Sequence, residues 1–243
     1  MKMASFAGRN FKEIVRDPVN LGLGLGFPLI LLLLLSAIQA NIPVALFEIN
    51  KLAPGIAVFG LAFITLFAAL LVSRDRESAF LVRLYTTPMT PADFIFGYML
   101  PLIPVAFLQS LICYAAALCL GLGFSVNLIF ALLAVIPISV FYVACGVLLG
   151  SVLTAKQSGV VSGTVFTNLA AWLSGVWFNL ELVGGVFRDI ANLLPFVHAV
   201  EIEKALVNGN FSDLLPHVLW VAGYAVVTTV VAILLFLRQM KKQ

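Results

Sequence analysis

Apolar residues fall in six long blocks, near 21–40, 53–73, 94–120, 126–150, 159–178 and 217–237, and charged residues and prolines collect between them. A helix needs about 20 apolar residues to cross hydrocarbon, and it satisfies every backbone N–H and C=O within its own segment. The pattern predicts an all-α polytopic membrane protein, one domain over 1–243 with six transmembrane helices. Ahead of the first block, Ala7, Phe11, Ile14 and Val15 share one helical face and Arg9, Lys12, Glu13 and Arg16 the other. This predicts an interfacial helix over 1–19, ended by Asp17-Pro18. A mixed charged and apolar connection over 74–92 is broken by Pro88 and Pro91. The stretch 179–216 is too long for a turn and too polar to span, and its apolar pattern around Pro195 predicts two short helices that re-enter the membrane or cap its surface.

Composition agrees: 62% of residues are hydrophobic and 10% charged, against about 45–50% and 25% in soluble domains. Eleven of the 14 basic residues lie on the side of both termini, giving about +6 there and −3 opposite, so both ends are expected in the cytoplasm. The net charge of +3 reflects this asymmetry and supplies no basic soluble surface for nucleic acid. Cys113, Cys119 and Cys145 all fall inside apolar blocks and read as small buried hydrophobes. The run 27–36 followed by Ile38-Gln39-Ala40 has the form of a signal peptide, but the long patterned stretch before it, with Glu13 and Asp17, favours a retained span.

No Asp, Glu, Lys, Arg or His sits deep in a predicted span, where such residues mark ion and proton pathways. An ion-coupled carrier therefore loses weight, and a scaffold that moves nothing is the other rival. The sequence holds no HExxH, no GxSG and no GxxxxGK[ST], so no metal, catalytic residue or nucleotide site is expected on this chain. His198 and His217 read as solvated or headgroup residues. Gly22 with Gly26 and Gly159 with Gly163 have the four-residue spacing that lets helices approach, within a chain or in a dimer. Phe59, Phe63 and Phe67 form one stripe and Thr164, Asn168 and Trp172 another. Polar groups at that depth face protein or a cavity, so the second stripe is expected away from lipid.

Order and local strings together resemble the ABC type-2 exporter permeases, the family of daunorubicin-type drug and lipo-oligosaccharide exporters, over nearly the whole chain. The "VRDPVN" from Val15, then Arg76-Glu77, Leu84-Tyr85-Thr86-Thr87-Pro88 and Gly97 carry the first half. Ser174-Gly175, Trp177-Phe178, Glu181 and Leu194-Pro195 carry the second. Asn179-Leu180 departs from the family, many members of which have a proline before the acidic residue. The resemblance implies a cell-membrane efflux permease, alone without ATPase motifs, that pairs with a second copy or a paralogue. It further implies two ATPase subunits, which carry the ATP and Mg, and surrounding lipid. It implies that Arg74, Arg76, Glu77, Phe80, Leu84, Tyr85 and Pro88 couple to the ATPase, that the two stripes line a path for an amphipathic cargo, and that Glu181, Glu201 and Glu203 belong to an outer lid.

Overall fold

The computed structural model describes residues 2–43, 47–78, 80, 89–212 and 214–240, and all regular structure among them is helical. Helix α1, Lys2–Val15, is followed by α2, Pro18–Gln39, and α3, Ile49–Glu77. Asp17 starts α2 by accepting from the Asn20 amide at 3.2 Å, with Pro18 at the first helical position, where its missing N–H is not needed. Next come α4, Pro91–Met99, and α5, Leu102–Cys119, which form one bent span, then α6, Asn127–Val152. Thr90 and Asp93 cap α4 reciprocally.

Among the described residues five helical stretches are long and apolar enough to cross a membrane: α2, α3, α4 with α5, α6, and α12, Leu214–Met240. The chain is thus a multi-pass α-helical membrane protein. The block expected as the fifth of six spans is wound differently. It comprises α7, Ala155–Val160, a π-helical segment, Val161–Phe166, and α8, Thr167–Leu173. In the wide turn the Thr167 hydroxyl donates to the Ser162 carbonyl, five residues back, at 2.9 Å. The run ends at Gly175, whose φ of 69° suits only glycine without strain. Beyond it lie α9, Leu180–Val183, α10, Gly185–Leu193, and α11, Pro195–Asn208.

Helix α3 is the axis of the molecule. Its most apolar window is 83% buried, against 17% in α2 and in α12, which present apolar faces outward. It meets α6 backbone to backbone. A Cβ on Gly146 would lie 2.3 Å from the Thr65 carbonyl oxygen, and one on Gly150 would lie 2.5 Å from that of Ala69. The Thr65 hydroxyl closes the seam with a 2.8 Å bond to the Tyr142 carbonyl. Gly146 and Gly150 are thus a glycine pair that brings two helices together backbone to backbone. Gly159 and Gly163 pack more loosely, on Leu70 and Leu66 of α3, while Gly22 and Gly26 have nothing within 4 Å.

Gly146→Ala should force α3 and α6 apart, lowering stability by about 1–3 kcal/mol, whereas Gly22→Ala should leave it unchanged. Thermal unfolding of the two variants in detergent, side by side with the wild type, checks both.

Candidate functional site

At the end of α3 four consecutive residues point in four directions, as about 100° of rotation per residue requires. Arg74 reaches the junction of α1 and α2, with Nη1 at 3.1 Å from Asp17 Oδ2. Asp75, buried, receives both guanidinium nitrogens of Arg9 in α1 and the Tyr98 hydroxyl of α4 at 2.9 Å. Arg76 donates to the carbonyls of Gly150 at 2.8 Å and Leu153 at 3.3 Å, filling the open C-terminal end of α6. Glu77 accepts from the Ala155 amide, at the start of α7, at 2.8 Å.

The α1 side of this cluster is built on an unexpected face. Phe6, Asn10 and Ile14, at i, i+4 and i+8, are buried, whereas Phe11 and Val15 are exposed. Asn10 is used because of a proline. Pro101 has no N–H to give the Gly97 carbonyl four residues earlier, and the Asn10 side-chain amide donates to that carbonyl instead, at 3.0 Å. Beside it the Phe6 ring lies edge-on to Tyr98 at 4.9 Å and fills the space a Cβ on Gly97 would occupy. Arg9 also pairs with Glu13 at 2.6 Å and sits 4.2 Å over the Phe80 ring. Burial, with the Asp75 carboxylate, raises the Glu13 carboxyl above its usual range against the pull of Arg9 and Arg74. For Asp17 burial works the same way, but hydrogen bonds from Asn20 and Arg74 outweigh it and hold that carboxyl low.

Of the expected coupling residues, Arg74, Arg76, Glu77 and Phe80 thus converge on one corner at the C-terminal end of α3, each partnered within the chain. Leu84, Tyr85 and Pro88 lie outside the described residues.

The two stripes part company. Phe59 and Phe67 are buried and Phe63 half-buried. Phe59 meets Trp177 at 5.5 Å, Phe63 meets Phe27 at 5.2 Å, and the Phe67 ring fills the notch at Gly24. Thr164, Asn168 and Trp172 all lie exposed on one side of the π-helical run, with Asn168 donating to the Thr164 carbonyl at 2.7 Å.

Residues 3–205 match the ABC-2 type transporter family. This chain belongs to that family. A protein of Porphyra purpurea described as a transport permease, ycf38, is 28% identical over 251 aligned residues, covering 94% of this chain and 82% of that protein. The chain is accordingly a membrane transport permease, and ABC-2 permeases in general work with an ATPase partner.

In this ABC-2 permease the three acids expected in a lid separate. Glu181 is exposed and faces Arg188 at 3.5 Å, and Glu201 pairs with Lys204 at 2.9 Å. Glu203 is wholly buried, bound by the Tyr114 hydroxyl of α5 at 2.5 Å, and among the described residues its Oε1 has no partner. Helix α11 carries it into the core with Phe196, Ala199, Val200 and Ile202, the apolar positions around it in sequence being the signal that could have revealed it. His198 and His217 are not simply solvated either: their Nδ1 atoms lie 2.7 Å apart.

Burial pushes the Glu203 carboxyl up to about 8, the Tyr114 bond opposing it. Folding therefore favours the protonated form, and this contribution is complete at acid pH and is lost as pH rises from the ordinary glutamate range through about 8. Glu203→Gln, which keeps an acceptor for Tyr114, should remove that loss and raise the melting temperature above wild type at pH 8–9; melting curves across pH 5–9 check it.

Proposed function

We propose that this permease is the membrane subunit of an ATP-driven exporter, two permease subunits pairing across the membrane with two ATPase subunits beneath. The basic-rich side, holding α1 and the inner end of α3, is the cytoplasmic one, which places 179–216 outside as a cover for the pathway.

The observation that carries this reading is the turn Arg74–Glu77. A load applied to α1, or to the segment following α3, meets no slack, because Asp75 holds Arg9 on two hydrogen bonds and Arg76 and Glu77 hold α6 and α7. The ATPase engages α1 and 78–90, and the force of nucleotide-driven closure passes through this turn into α3, the central helix. Alternating access follows when that helix and its neighbours shift together.

Thr164, Asn168 and Trp172 supply the cargo surface, with Leu66 and Leu70 of α3 behind their run and Phe63 and Phe67 turned to α2. A polar stripe left against hydrocarbon is unfavourable. Its exposure on the single chain is explained when it faces a second permease across a shared cavity, and the open Gly22–Gly26 notch on α2 offers a further place for close helix contact. An uncharged wall of threonine, asparagine and tryptophan suits an amphipathic drug, antimicrobial peptide or lipid-linked molecule moved outward.

Gentle detergent purification from native cells should recover a stoichiometric ATP-binding subunit, and its repeated absence would overturn the reading. Asp75→Ala should cut recovery of that subunit severalfold while leaving the permease in the membrane. In the intact complex, Asn168→Ala and Trp172→Ala should lower daunorubicin-stimulated ATP hydrolysis without changing the basal rate; unaltered stimulation in both would remove the stripe from the pathway.

A further inference from the structure

The first turn of α11 and the first turn of α12 meet through the two histidines of the chain. His198 Nδ1 and His217 Nδ1 are 2.7 Å apart, and His198 Nε2 is 2.8 Å from the Asn192 carbonyl of α10. These distances fix the tautomers. A carbonyl only accepts, so His198 Nε2 carries a hydrogen and, in the neutral ring, His198 Nδ1 is a bare acceptor. His217 must then donate from Nδ1. Around them the Trp220 indole and Tyr224 hydroxyl donate to the Leu193 carbonyl at 3.1 and 2.8 Å, so that α10, α11 and α12 are fastened at one point.

We propose that the His198–His217 pair is an acid-operated latch that holds α11, with the outer cover, against α12 while at most one of the two rings is charged. The compartment whose acidity it reads rests on the orientation proposed above.

The chemistry of the pair sets its logic. A first proton taken up at His217 Nε2 leaves the Nδ1–H···Nδ1 bond intact and makes it charge-assisted. A second proton has only His198 Nδ1 to bind, and it places two N–H groups and two positive charges face to face across 2.7 Å. The bond cannot persist, and the two helix ends separate. Both rings also stand in the first turn of a helix, where the helix dipole disfavours a cation.

The charged groups that act on His198 are His217, from α12, and Glu201, one turn along α11 and already paired with Lys204. Helix α10 brings the Asn192 carbonyl, α12 the Trp220 ring at 5.3 Å, and α6 the Phe141 and Tyr142 rings, which pack on Phe196. At the corresponding end of α3, Lys51 and Glu48 pair with each other at 2.7 Å. Burial lowers the His198 pKa, and the His217 charge adds to it against the Asn192 carbonyl and Glu201. The contribution of the neutral ring to stability is therefore present above the ordinary histidine range and lost as pH falls from that range through the lowered folded-state value.

With only two histidines in the chain, ring-15N-histidine NMR of the full chain in lipid nanodiscs resolves both directly. At pH 8 one ring should be Nε2-protonated and the other Nδ1-protonated. On acidification the rings should titrate in two separate steps, the second below the usual value of about 6.5. Backbone amides of 196–200 should exchange about tenfold faster after that second step, corrected for intrinsic rates. In His217→Gln this pH-dependent loosening should vanish. Two rings titrating together at the ordinary value, or amides equally protected through the second step, would overturn the latch, and neither result depends on whether an ATPase co-purifies.

Discussion

A bidentate guanidinium–carboxylate pair at the C-terminal end of α3 is the fixed point around which the other helices are arranged. Asp75 is held there by Arg9 and Tyr98, and a carboxylate so thoroughly buried is tolerable only with that complement of donors. Because the donors come from α1 and α4, the pair welds a surface helix and a bent span to the axis of the bundle. The adjoining residues of the same turn take up the ends of α6 and α7. Such a corner gives the bundle directional stiffness, which apolar contacts with lipid-like surroundings carry little of.

Farther from that corner the bundle is held by close approach. Gly146 and Gly150 let α3 and α6 touch at their backbones, and dispersion between atoms in contact does what the hydrophobic effect cannot do inside lipid. Toward the other side, α11 is drawn into the core although it carries Glu203. Its carboxyl is accommodated by one tyrosine hydroxyl and by remaining protonated.

The helical class, the family and five long membrane helices were legible in hydropathy and local strings, because backbone satisfaction in hydrocarbon leaves so few alternatives. The buried face of α1 was not, since apolar periodicity passes over Asn10, and its purpose lies in a carbonyl orphaned by a proline 91 positions away in sequence. Arg74, Arg76 and Glu77 were legible as a group from their family motif, but their separate partners depend on which helix ends the fold brings alongside. For the phenylalanine stripe, spacing gave the face and could not say whether that face meets a cavity or, as for Phe67, the notch at Gly24. Glu203 and the two histidines were read as lid and solvated residues because charge and polarity suggest solvent, whereas the burial of Glu203 and the meeting of His198 with His217 come from α11 folding back on α3, α6 and α12.

The π-helical segment makes the direction of the Thr164, Asn168 and Trp172 stripe a matter of counting. A π turn holds one more residue than an α turn, so everything beyond it is out of phase with α7 by about 100°. Losing a single residue between 161 and 166 would let the run close into an unbroken α-helix and swing Asn168 and Trp172 through about that angle. No contacting side chain would need to change. Among homologous chains, a one-residue insertion or deletion at this place would therefore redirect the whole exposed face at once, a larger structural step than any single substitution along it.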